Sequence, residues 1–599
     1  MTMTSSPPTS APGSGKALSA VLMLVFALGG CGPPQRAVEY VDLVADRSFR
    51  DGAEPLPVTE SVCWDETYDT IAIEPGLTVT ARVAFGENPV LHLGGALDCG
   101  RDFGTKDEKA LIRGGVVSSS GGTVPVKMEF TGASGWWSQT TDLEQLEGEQ
   151  ATIELTAELP DDCVVRLKDG FVEQQRKTKR SDTRPLQILL ISVDTLRADT
   201  VEDPTIETPN LEKLAKQGER WTRHYAAATW TKPSHASMLT GFSPQTHRAL
   251  DMRDPMSRSI PTLAQRFQEA DFKTGALVFD TAWLSARWGF AKGFDEYRIA
   301  RWRVDREMRA AANWLVRHRN ESFFYFLHTF EPHSDHSILP YEAPGTTRRT
   351  IADEFGLSDY GCRRQLCASR FLIALDQGKV GRLPKDSKIL RSTYLDGVRF
   401  TDQAIGSLIS TLHESGIWDD LLVVFTSDHG EAFGEHGKFS HSTLHEEIIR
   451  VPLIIKWPRG ERAGERNEVP SSSLDLAPTL LGFASISADD LPGTHLHRRT
   501  PGQPVFAGTF SMAAVLGLEK SIFSKSGDLE EFYDLEGDPG ETHSLSEPPR
   551  GRVREHDRMR RAWLEQSRAL GKKFGVAGEE EVALSERERE RLRAFGYLE

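Results

Sequence analysis

A threonine near the middle of the chain lies two residues before the proline that is predicted to open a helix, an arrangement suited to nucleophilic chemistry on an anion. Thr231 precedes Pro233 and Ser234 in the segment Thr229–Gly241, which reads TWTKPSHASMLTG. Proline in a first turn and serine as an N-cap signal a helix start, and Gly241 signals its end. A helix N-terminus offers N–H groups and a partial positive charge to an oxyanion. The segment predicts a hydroxyl nucleophile beside an anion site, although a capped surface helix would show the same pattern.

Two apolar runs end in residues that could ligate a divalent metal. The first run, Gln187–Asp194, ends in an acid, and the second, Asp420–Asp428, is followed directly by His429. Near-continuous apolar runs are typical of parallel strands buried on both faces, and ligand sites lie beyond the carboxyl ends of such strands. Two carboxylates, an imidazole and a hydroxyl make a four-ligand shell that suits Zn²⁺ or Mn²⁺ better than Ca²⁺. The predicted metal ligands are Asp194, Thr231, Asp428 and His429.

Several segments resemble motifs of the sulfatases of the alkaline phosphatase superfamily. They read SVDTLRAD, TKPSHASMLTG, TSDHGEAFGEHG and HEEIIRVPLII, and the similarity runs in order from about Gln187 to the C-terminus. Several long motifs in order are far more specific than one short motif. The resemblance implies an α/β fold, an alkaline-phosphatase-like mixed and mostly parallel sheet sandwiched by helices, over residues 186–466. It also implies a small C-terminal α+β subdomain with a helical tail over residues 467–599.

The sequence departs from the sulfatase pattern at the nucleophile. Sulfatases use a formylglycine made from Cys or Ser, whereas Thr231 has a methyl group on Cβ, so that its oxidation would give a ketone. A Thr hydroxyl whose pKa is lowered by a metal can instead attack phosphorus directly, as in phosphoester branches of the superfamily. His235 replaces the arginine of the nucleophile motif, and His441 replaces a lysine. His333, which the resemblance puts in the substrate pocket, and His441 are similar to the two histidines of phosphoethanolamine-transferase-like relatives.

These departures predict a metal-dependent hydrolase or transferase of phosphate or sulfate esters. Thr231 would attack the ester in line, while Lys232 or His235 and backbone N–H groups of the helix start hold the oxyanion. His333 or His441 would protonate the leaving oxygen. The implied cofactor is one divalent metal, Zn²⁺, Mn²⁺ or Ca²⁺, and a pocket imidazole could ligate a second.

Two other functions fit the same residues. The chain could be a sulfatase of relaxed pattern that acts on sulfated glycans or aryl sulfates. It could also be a surface lipoprotein that keeps the fold and the metal but binds without turnover, because sites rather than folds decide function. In each case the ligand is a phosphate or sulfate ester, for which a glycan or a lipid head group are the candidate carriers.

Composition is that of an ordinary globular protein with room for several domains. The 599 residues are 39% hydrophobic and 26% charged, and the net charge is −16. A general nucleic-acid binder would usually carry a basic surface, so no nucleic-acid partner is expected. Residues 32–60 are predicted to be a linker. Residues 61–175 are predicted to form an accessory β-sandwich, because short segments such as LTVTARVAF and ATIELTAEL alternate in polarity between turn residues.

The first 31 residues have the pattern of a lipoprotein signal peptide. An apolar run, Ala17–Gly30, follows Lys16 and is short for a membrane span. It leads into LGGC at Leu28–Cys31, which resembles a bacterial lipobox, so Cys31 is predicted to anchor the exported chain to a lipid bilayer of the bacterial cell envelope, in the periplasm or at the surface. The alternative is a cleaved signal peptide with Cys31 unmodified. Export would place the other five cysteines in an oxidising compartment.

Overall fold

A computed structural model describes residues 36–576, with gaps of five residues or more at 43–49, 99–108, 132–136, 178–183, 335–339, 345–366 and 378–383 and shorter ones elsewhere. The predicted signal peptide, the lipobox at Cys31 and the predicted helical tail from Glu579 lie outside the described residues. Among the described residues, no helix combines the length and the apolar character needed to cross a membrane.

The N-terminal region consists of strands. They are β1 (Arg36–Asp42), β2 (Arg50–Asp51), β3 (Glu54–Pro55), β4 (Val58–Cys63), β5 (Glu66–Ile73), β6 (Thr78–Ala84), β7 (Glu87–Asp98), β8 (Lys109–Ser118), β9 (Thr123–Thr131), β10 (Trp137–Asp142), β11 (Gln150–Glu158) and β12 (Val164–Lys177).

These strands form two six-stranded antiparallel sheets that share one hydrophobic core. One sheet has the order β10-β7-β12-β5-β4, with β1 paired to β12, and the other has the order β3-β2-β6-β11-β8-β9. Alternate residues of β11 are buried, as a strand with one face on a core requires. Ile73 and Leu91 of the first sheet pack in the same cluster as Val79 and Ile153 of the second. The predicted β-sandwich is confirmed, and its strands also occupy much of the predicted linker.

The region after the sandwich alternates strands and helices. Its strands are β13 (Gln187–Val193), β14 (Glu219–Tyr225), β15 (Lys273–Phe279), β16 (Glu296–Ala300), β17 (Phe323–Thr329), β18 (Leu421–Thr426), β19 (Ala432–Phe433), β20 (Phe439–Ser440), β21 (Arg450–Lys456), β22 (Arg466–Asn467) and β23 (Ser471–Ser472). Its helices are α1 (Asp199–Glu202), α2 (Pro209–Gln217), α3 (Thr231–Thr240), α4 (Pro244–His247), α5 (Leu263–Glu269), α6 (Val304–Arg317), α7 (Cys367–Asp376), α8 (Pro384–Glu414), α9 (Glu446–Ile449) and α10 (Leu476–Phe483).

A nine-stranded mixed sheet organises this region, with the order β16-β15-β17-β13-β18-β21-β14-β22 and β23 paired to β14. The central strands β15, β17, β13 and β18 run parallel, whereas β21 is antiparallel to both of its neighbours. Every residue of β13 is buried. Leu189 and Ile191 belong to one core cluster and Ile188 and Leu190 to another, because helices cover both faces of the sheet. The predicted fold is confirmed.

The C-terminal region adds a smaller antiparallel sheet and a long helix. The sheet contains β24 (Val505–Ala507), β25 (Met512–Leu516), β26 (Glu519–Phe523) and β27 (Leu529–Asp534) in sequential order, and the helix is α11 (Arg550–Lys573). Phe506 and Phe523 of the sheet pack with Trp563 of α11. The predicted α+β character of this subdomain is confirmed.

Candidate active site and metal centre

Thr231 is the first residue of α3, a helix whose ten residues are all buried. Trp230 precedes it in an extended conformation and makes no side-chain capping bond. The expectation that Ser234 caps the helix is wrong, because Ser234 lies inside the first turn and its hydroxyl donates to the Asp428 carbonyl at 2.6 Å. Gly241 ends the helix with a φ of 76°, as predicted for its C-terminal residue.

The hydroxyl of Thr231 points at the carboxylate that follows β13. Its Oγ1 lies 3.4 Å from Oδ2 of Asp194, and both side chains are buried. The backbone N–H of Asp194 donates to the carbonyl of Thr329, the last residue of the parallel neighbouring strand β17. This hydrogen bond fixes the position of Asp194. The carboxyl ends of neighbouring parallel strands thus bring the acid to the helix start.

Asp194, Asp428 and His429 form a fully buried cluster that could hold a metal ion. Each offers one ligand atom, and these atoms lie within 4.8 Å of one another. Nε2 of His429 is 3.6 Å from Oδ1 of Asp194 and 3.3 Å from Oδ2 of Asp428. Neither Nε2 of His429 nor Oδ2 of Asp428 makes a hydrogen bond within the described part of the chain.

The hydrogen bond of Nδ1 directs Nε2 of His429 at the two carboxylates. Nδ1 donates to the carbonyl oxygen of Gly430 at 2.9 Å, which leaves Nε2 as the nitrogen that could act as a ligand. Two buried carboxylates are costly without a compensating cation. The donor set of these residues fits a divalent metal with mixed oxygen and nitrogen ligands.

His235 connects α3 to the cluster of Asp194, Asp428 and His429. Its Nδ1 donates to the Thr231 carbonyl at 2.9 Å and lies 3.4 Å from Oδ2 of Asp428, while its Nε2 is 2.9 Å from the hydroxyl of Ser192. Burial lowers the pKa of His235 to about 4, so the ring is neutral near pH 7. These contacts make His235 a residue that positions the first turn of α3.

His328 also lies in the site, although the sequence suggested it only as a nearby alternative to His333. Its Nε2 is 3.2 Å from Oδ2 of Asp194, the oxygen that Thr231 also faces, and its ring centre is 4.9 Å from that of His235. Burial lowers the pKa of His328 to about 4. The available signal was an imidazole near the end of the largely apolar run that forms β17.

The rings of His333 and His441 lie near the ring of His429. The ring centre of His441 is 4.3 Å from that of His429 and 5.6 Å from that of His333. Nδ1 of His441 is 3.3 Å from Oε1 of Glu431, and burial lowers the pKa of the His441 ring to about 4. The ring of His333 stacks on Phe330 at 3.9 Å. The structure therefore brings the two predicted pocket histidines together beside a candidate metal ligand.

Lys232 is fully buried in a cluster of tryptophans. Its ammonium donates to the carbonyl of Met252 at 2.9 Å and lies 3.9 Å from the ring centre of Trp288. The rings of Trp230 and Trp283 are each 5.6 Å away. A carbonyl and aromatic faces are groups that bind a cation. These contacts indicate an ammonium that anchors the start of α3, whereas the sequence predicted that it holds the substrate oxyanion.

Comparisons with known proteins identify the family of this chain. The sequence model of the family described as Sulfatase matches residues 187–486, which is half of the chain. A choline-sulfatase from Rhizobium meliloti (strain 1021) is 26% identical over 437 residues, covering 61% of this chain and 83% of that protein. An N-acetylglucosamine-6-O-sulfatase from Bacteroides thetaiotaomicron is 30% identical over 173 residues, covering 25% of this chain and 31% of that protein.

The fold is also similar to solved structures. One of them, a complex of a protein with its substrate D-glucosamine-2-N,6-O-disulfate, has a TM-score of 0.51 at 21% identity and covers 65% of this chain and 99% of that one. The extent of the match and the shared fold show that this chain belongs to the sulfatase family, within the ester hydrolases of the alkaline phosphatase superfamily.

Proposed function

We propose that this protein is a metal-dependent hydrolase of phosphate or sulfate esters in which Thr231 is the nucleophile. The observation that supports it most directly is the position of the Thr231 hydroxyl, 3.4 Å from Oδ2 of Asp194 at the first residue of a buried helix. The N–H groups and partial positive charge of a helix start favour an oxyanion at that place.

The proposed cofactor is one divalent metal held by Asp194, Asp428 and His429, with Thr231 as the fourth ligand. Such an ion supplies a Lewis acid and lowers the pKa of a nearby hydroxyl. The imidazole among the ligands favours Zn²⁺ or Mn²⁺ over Ca²⁺.

The residues around Thr231 each have a separate role in the proposed reaction. Asp194 accepts the hydrogen bond of the Thr231 hydroxyl and so directs Oγ1, while His235 fixes the carbonyl of the same residue. The proton of the Thr231 hydroxyl passes to Oδ2 of Asp194 as Oγ1 forms a bond to phosphorus or sulfur and the bond to the ester oxygen breaks, and the imidazolium of His333 or His441 gives a proton to that oxygen. Water then attacks the phosphorus or sulfur of the adduct and gives one proton to the same imidazole, while the departing Oγ1 takes back the proton from Asp194.

Phosphate esters are the first candidate substrates. The methyl group on Cβ of Thr231 rules out an aldehyde at this position, so the adduct must be resolved by attack of water on the transferred group. Direct displacement of this kind is the ordinary course of phosphoryl transfer to and from a hydroxyl nucleophile.

Sulfate esters are the second candidate substrates. The relatives named as choline-sulfatase and N-acetylglucosamine-6-O-sulfatase support this alternative, and the second name also supports a sulfated glycan as the natural substrate. Family membership argues against the third interpretation, a lipoprotein that binds without turnover.

One experiment separates these candidates. The protein is made in a host without formylglycine-forming activity, stripped of metal, reloaded with Zn²⁺, Mn²⁺ or Ca²⁺, and assayed on nitrophenyl phosphate, a nitrophenyl phosphodiester and nitrophenyl sulfate. We expect metal-dependent phosphoester turnover that is lost in Thr231→Val, which keeps the side-chain shape. Turnover of nitrophenyl sulfate alone would indicate that the substrates are sulfate esters. Full activity of Thr231→Val, or no turnover with any metal, would contradict the proposal.

We also propose that the protein is exported and held on a membrane of the cell envelope through a lipidated Cys31. The proposal rests on the signal-peptide pattern and the lipobox-like LGGC. Cys163 is disulfide-bonded, which suits an oxidising compartment.

A further inference from the structure

A second cluster of possible metal ligands lies outside the site described above. His436 belongs to the turn Glu435–Gly437, and His445 and Glu447 lie at the start of α9. Each offers one ligand atom, and these atoms lie within 4.8 Å of one another. The cluster shares no residue with the Asp194, Asp428 and His429 cluster, so it requires its own explanation.

His445 is oriented as metal-binding histidines usually are. Its Nε2 lies 2.8 Å from Oε2 of Glu531, and the same oxygen accepts a hydrogen bond from the hydroxyl of Tyr533 at 2.6 Å. Because a carboxylate only accepts, Nε2 carries the hydrogen and Nδ1 keeps a lone pair. Nδ1 is buried and has no hydrogen-bond partner among the described residues, and the side chain is 7% exposed. A carboxylate on one ring nitrogen typically orients the other toward a metal.

Glu447 offers a buried oxygen beside this nitrogen. Its side chain is 7% exposed, and its Oε1 makes no hydrogen bond within the described residues. Its Oε2 lies 3.7 Å from Nε2 of His436, which is longer than a hydrogen bond. Oε1 is therefore open to a cation that lies beside Nδ1 of His445.

His436 is held against His445 by an uncommon backbone. Its φ of 50° is in the left-handed region, which a residue with a side chain seldom adopts without compensation. Its ring stacks on that of His445, with centres 3.5 Å apart and planes 4° from parallel. Gly434 and Gly437 on either side also have positive φ, and this backbone conformation of the turn places the imidazole of His436 against His445.

We propose that His436, His445 and Glu447, with water as the fourth ligand, bind one Zn²⁺ ion at a site separate from the catalytic cluster. Two imidazoles and a carboxylate are a ligand set that Zn²⁺ prefers, whereas Mg²⁺ and Ca²⁺ prefer oxygen alone. On binding, the ring of His436 rotates away from parallel so that each imidazole directs one nitrogen at the ion. Glu531 stays on His445 and ties the site to β27 of the C-terminal sheet.

This ion would support the loop that carries the catalytic His429. The N–H of Gly430 donates to the carbonyl of Ile448 at 2.7 Å. A Cβ atom on Gly430 would lie 2.0 Å from the carbonyl oxygen of Glu447, so the loop and the ligand-bearing segment are in direct backbone contact. Fixing Glu447 therefore also restrains the residue next to His429.

The test counts bound Zn²⁺ in the full-length protein after equilibrium dialysis against Zn²⁺ in a weak chelator buffer. The Asp194→Asn/Asp428→Asn variant removes the catalytic cluster and serves as the parent. We expect His436→Gln in this parent to lose one further equivalent of Zn²⁺, and Glu447→Gln, which keeps the side-chain shape, to lose the same equivalent. His413→Gln, at an exposed position of α8, removes one histidine as a control and should lose none.

Two further readouts keep the test decisive. Co²⁺ added to the parent should give the visible absorption bands of a tetrahedral site, and these bands should be absent in Glu447→Gln. Zn²⁺ should raise the Tm of the parent but not that of Glu447→Gln. If both second-cluster variants fold, as judged by circular dichroism, and bind as much Zn²⁺ as the parent, the proposal is wrong. If His436→Gln does not fold, the result for Glu447→Gln alone decides.

Discussion

The methyl group of Thr231 excludes oxidation to an aldehyde and favours direct attack by the hydroxyl. A β-branched side chain in a helix has few χ1 rotamers, so the direction of Oγ1 is restricted before any substrate arrives. The observed direction is toward Asp194, and the neighbouring carbonyl is fixed by His235. An enzyme that uses the hydroxyl itself gains from such restriction, because less conformational freedom is lost in the reaction.

His328 is expected to strengthen metal binding although it is not one of the proposed ligands. Replacing it by Leu, which has no hydrogen-bonding group, removes the hydrogen bond between Nε2 and Oδ2 of Asp194. Because partners of metal ligands usually contribute about 10- to 100-fold in affinity, His328→Leu should weaken metal binding by that factor. The metal concentration that gives half-maximal turnover measures the effect, with His413→Leu as the control. Equal values for His328→Leu and the unchanged protein would exclude this role.

Single residues differed in how well the sequence predicted them. Asp194, Asp428 and His429 directly follow apolar runs, and the rule that sites lie at the carboxyl ends of strands was enough to place them together. That they ligate a metal stays a prediction. His328 lies inside its strand, and nothing in a sequence tells a buried histidine at a site from one in a core. The tryptophan cluster around Lys232 depends on tertiary contacts that no local pattern encodes.

At the scale of elements, the long apolar strands were the easiest part to predict. A strand such as β13, buried on both faces between two cores, needs an unbroken apolar run, which is visible in the sequence. The start of α3 was misplaced because Ser234 looks like a cap, whereas in the fold its hydroxyl bonds to the carbonyl of Asp428. The sequence predicts a long helix only from Tyr394, whereas α8 begins at Pro384, because Ile389 and Leu390 are the only large apolar residues of Pro384–Thr393 and give little hydrophobic periodicity.

Gly430 is expected to be irreplaceable at the junction between the His429 loop and α9. Its Cβ position is 2.0 Å from the Glu447 carbonyl oxygen, and neither backbone can yield without displacing the loop. Gly430→Ala should therefore lower the free energy of unfolding by about 1–3 kcal/mol or more and weaken metal binding. The measurement is the shift in Tm with and without added metal.

Gly551 provides the matched control for that substitution. It lies in α11, and a Cβ atom there would meet nothing within 4 Å. Gly551→Ala should leave metal binding unchanged and stabilise the helix by up to about 1 kcal/mol. The same Tm for Gly430→Ala and the unchanged protein would show that the contact at Gly430 is not restrictive.

His224 is expected to make the central sheet sensitive to acid. Burial, with Arg499 nearby, lowers the pKa of His224 to about 3, and its Nδ1 lies 2.9 Å from the hydroxyl of Ser471. The unfolded chain takes up this proton at about pH 6.5, so the titration of His224 does not change stability above that pH, whereas the free energy of unfolding falls by up to about 1.4 kcal/mol per pH unit as the pH drops from there toward 3. Urea unfolding between pH 7 and pH 5 should show a shallower pH slope in His224→Gln. An unchanged slope, equal to that of His413→Gln, would contradict the assignment.

At the scale of the whole molecule, the order of regions followed from changes in pattern along the chain. Alternating short strands, then long apolar runs between helices, then a mixed segment correspond to the sandwich, the mixed sheet and the C-terminal subdomain. The bounds of the sandwich were harder to predict. Its first strands are short, and β12 contains register shifts between Leu167 and Asp169 and between Glu173 and Gln175, so alternation is interrupted there.

Membrane attachment is predicted to depend on one atom, the sulfur of Cys31. A lipidated chain should sediment with membranes and enter the detergent phase on phase separation. Cys31→Ala should release the protein into the soluble fraction without a change in its turnover, because the substitution lies far along the chain from the matched residues 187–486. Intact mass of the purified protein would show the lipid directly. Retention of Cys31→Ala in the membrane fraction would contradict lipid anchoring through this residue.

The central claim, that the hydroxyl of Thr231 forms the covalent bond to the transferred group, can be tested by one measurement. The metal-loaded enzyme is mixed with a nitrophenyl ester, quenched with acid during turnover, digested and analysed by tandem mass spectrometry. The account predicts a phosphoryl or sulfuryl group on Thr231, in the peptide that contains TKPSHASM. A turning-over enzyme whose transferred group is found on another residue, or on no residue at any quench time, would contradict it.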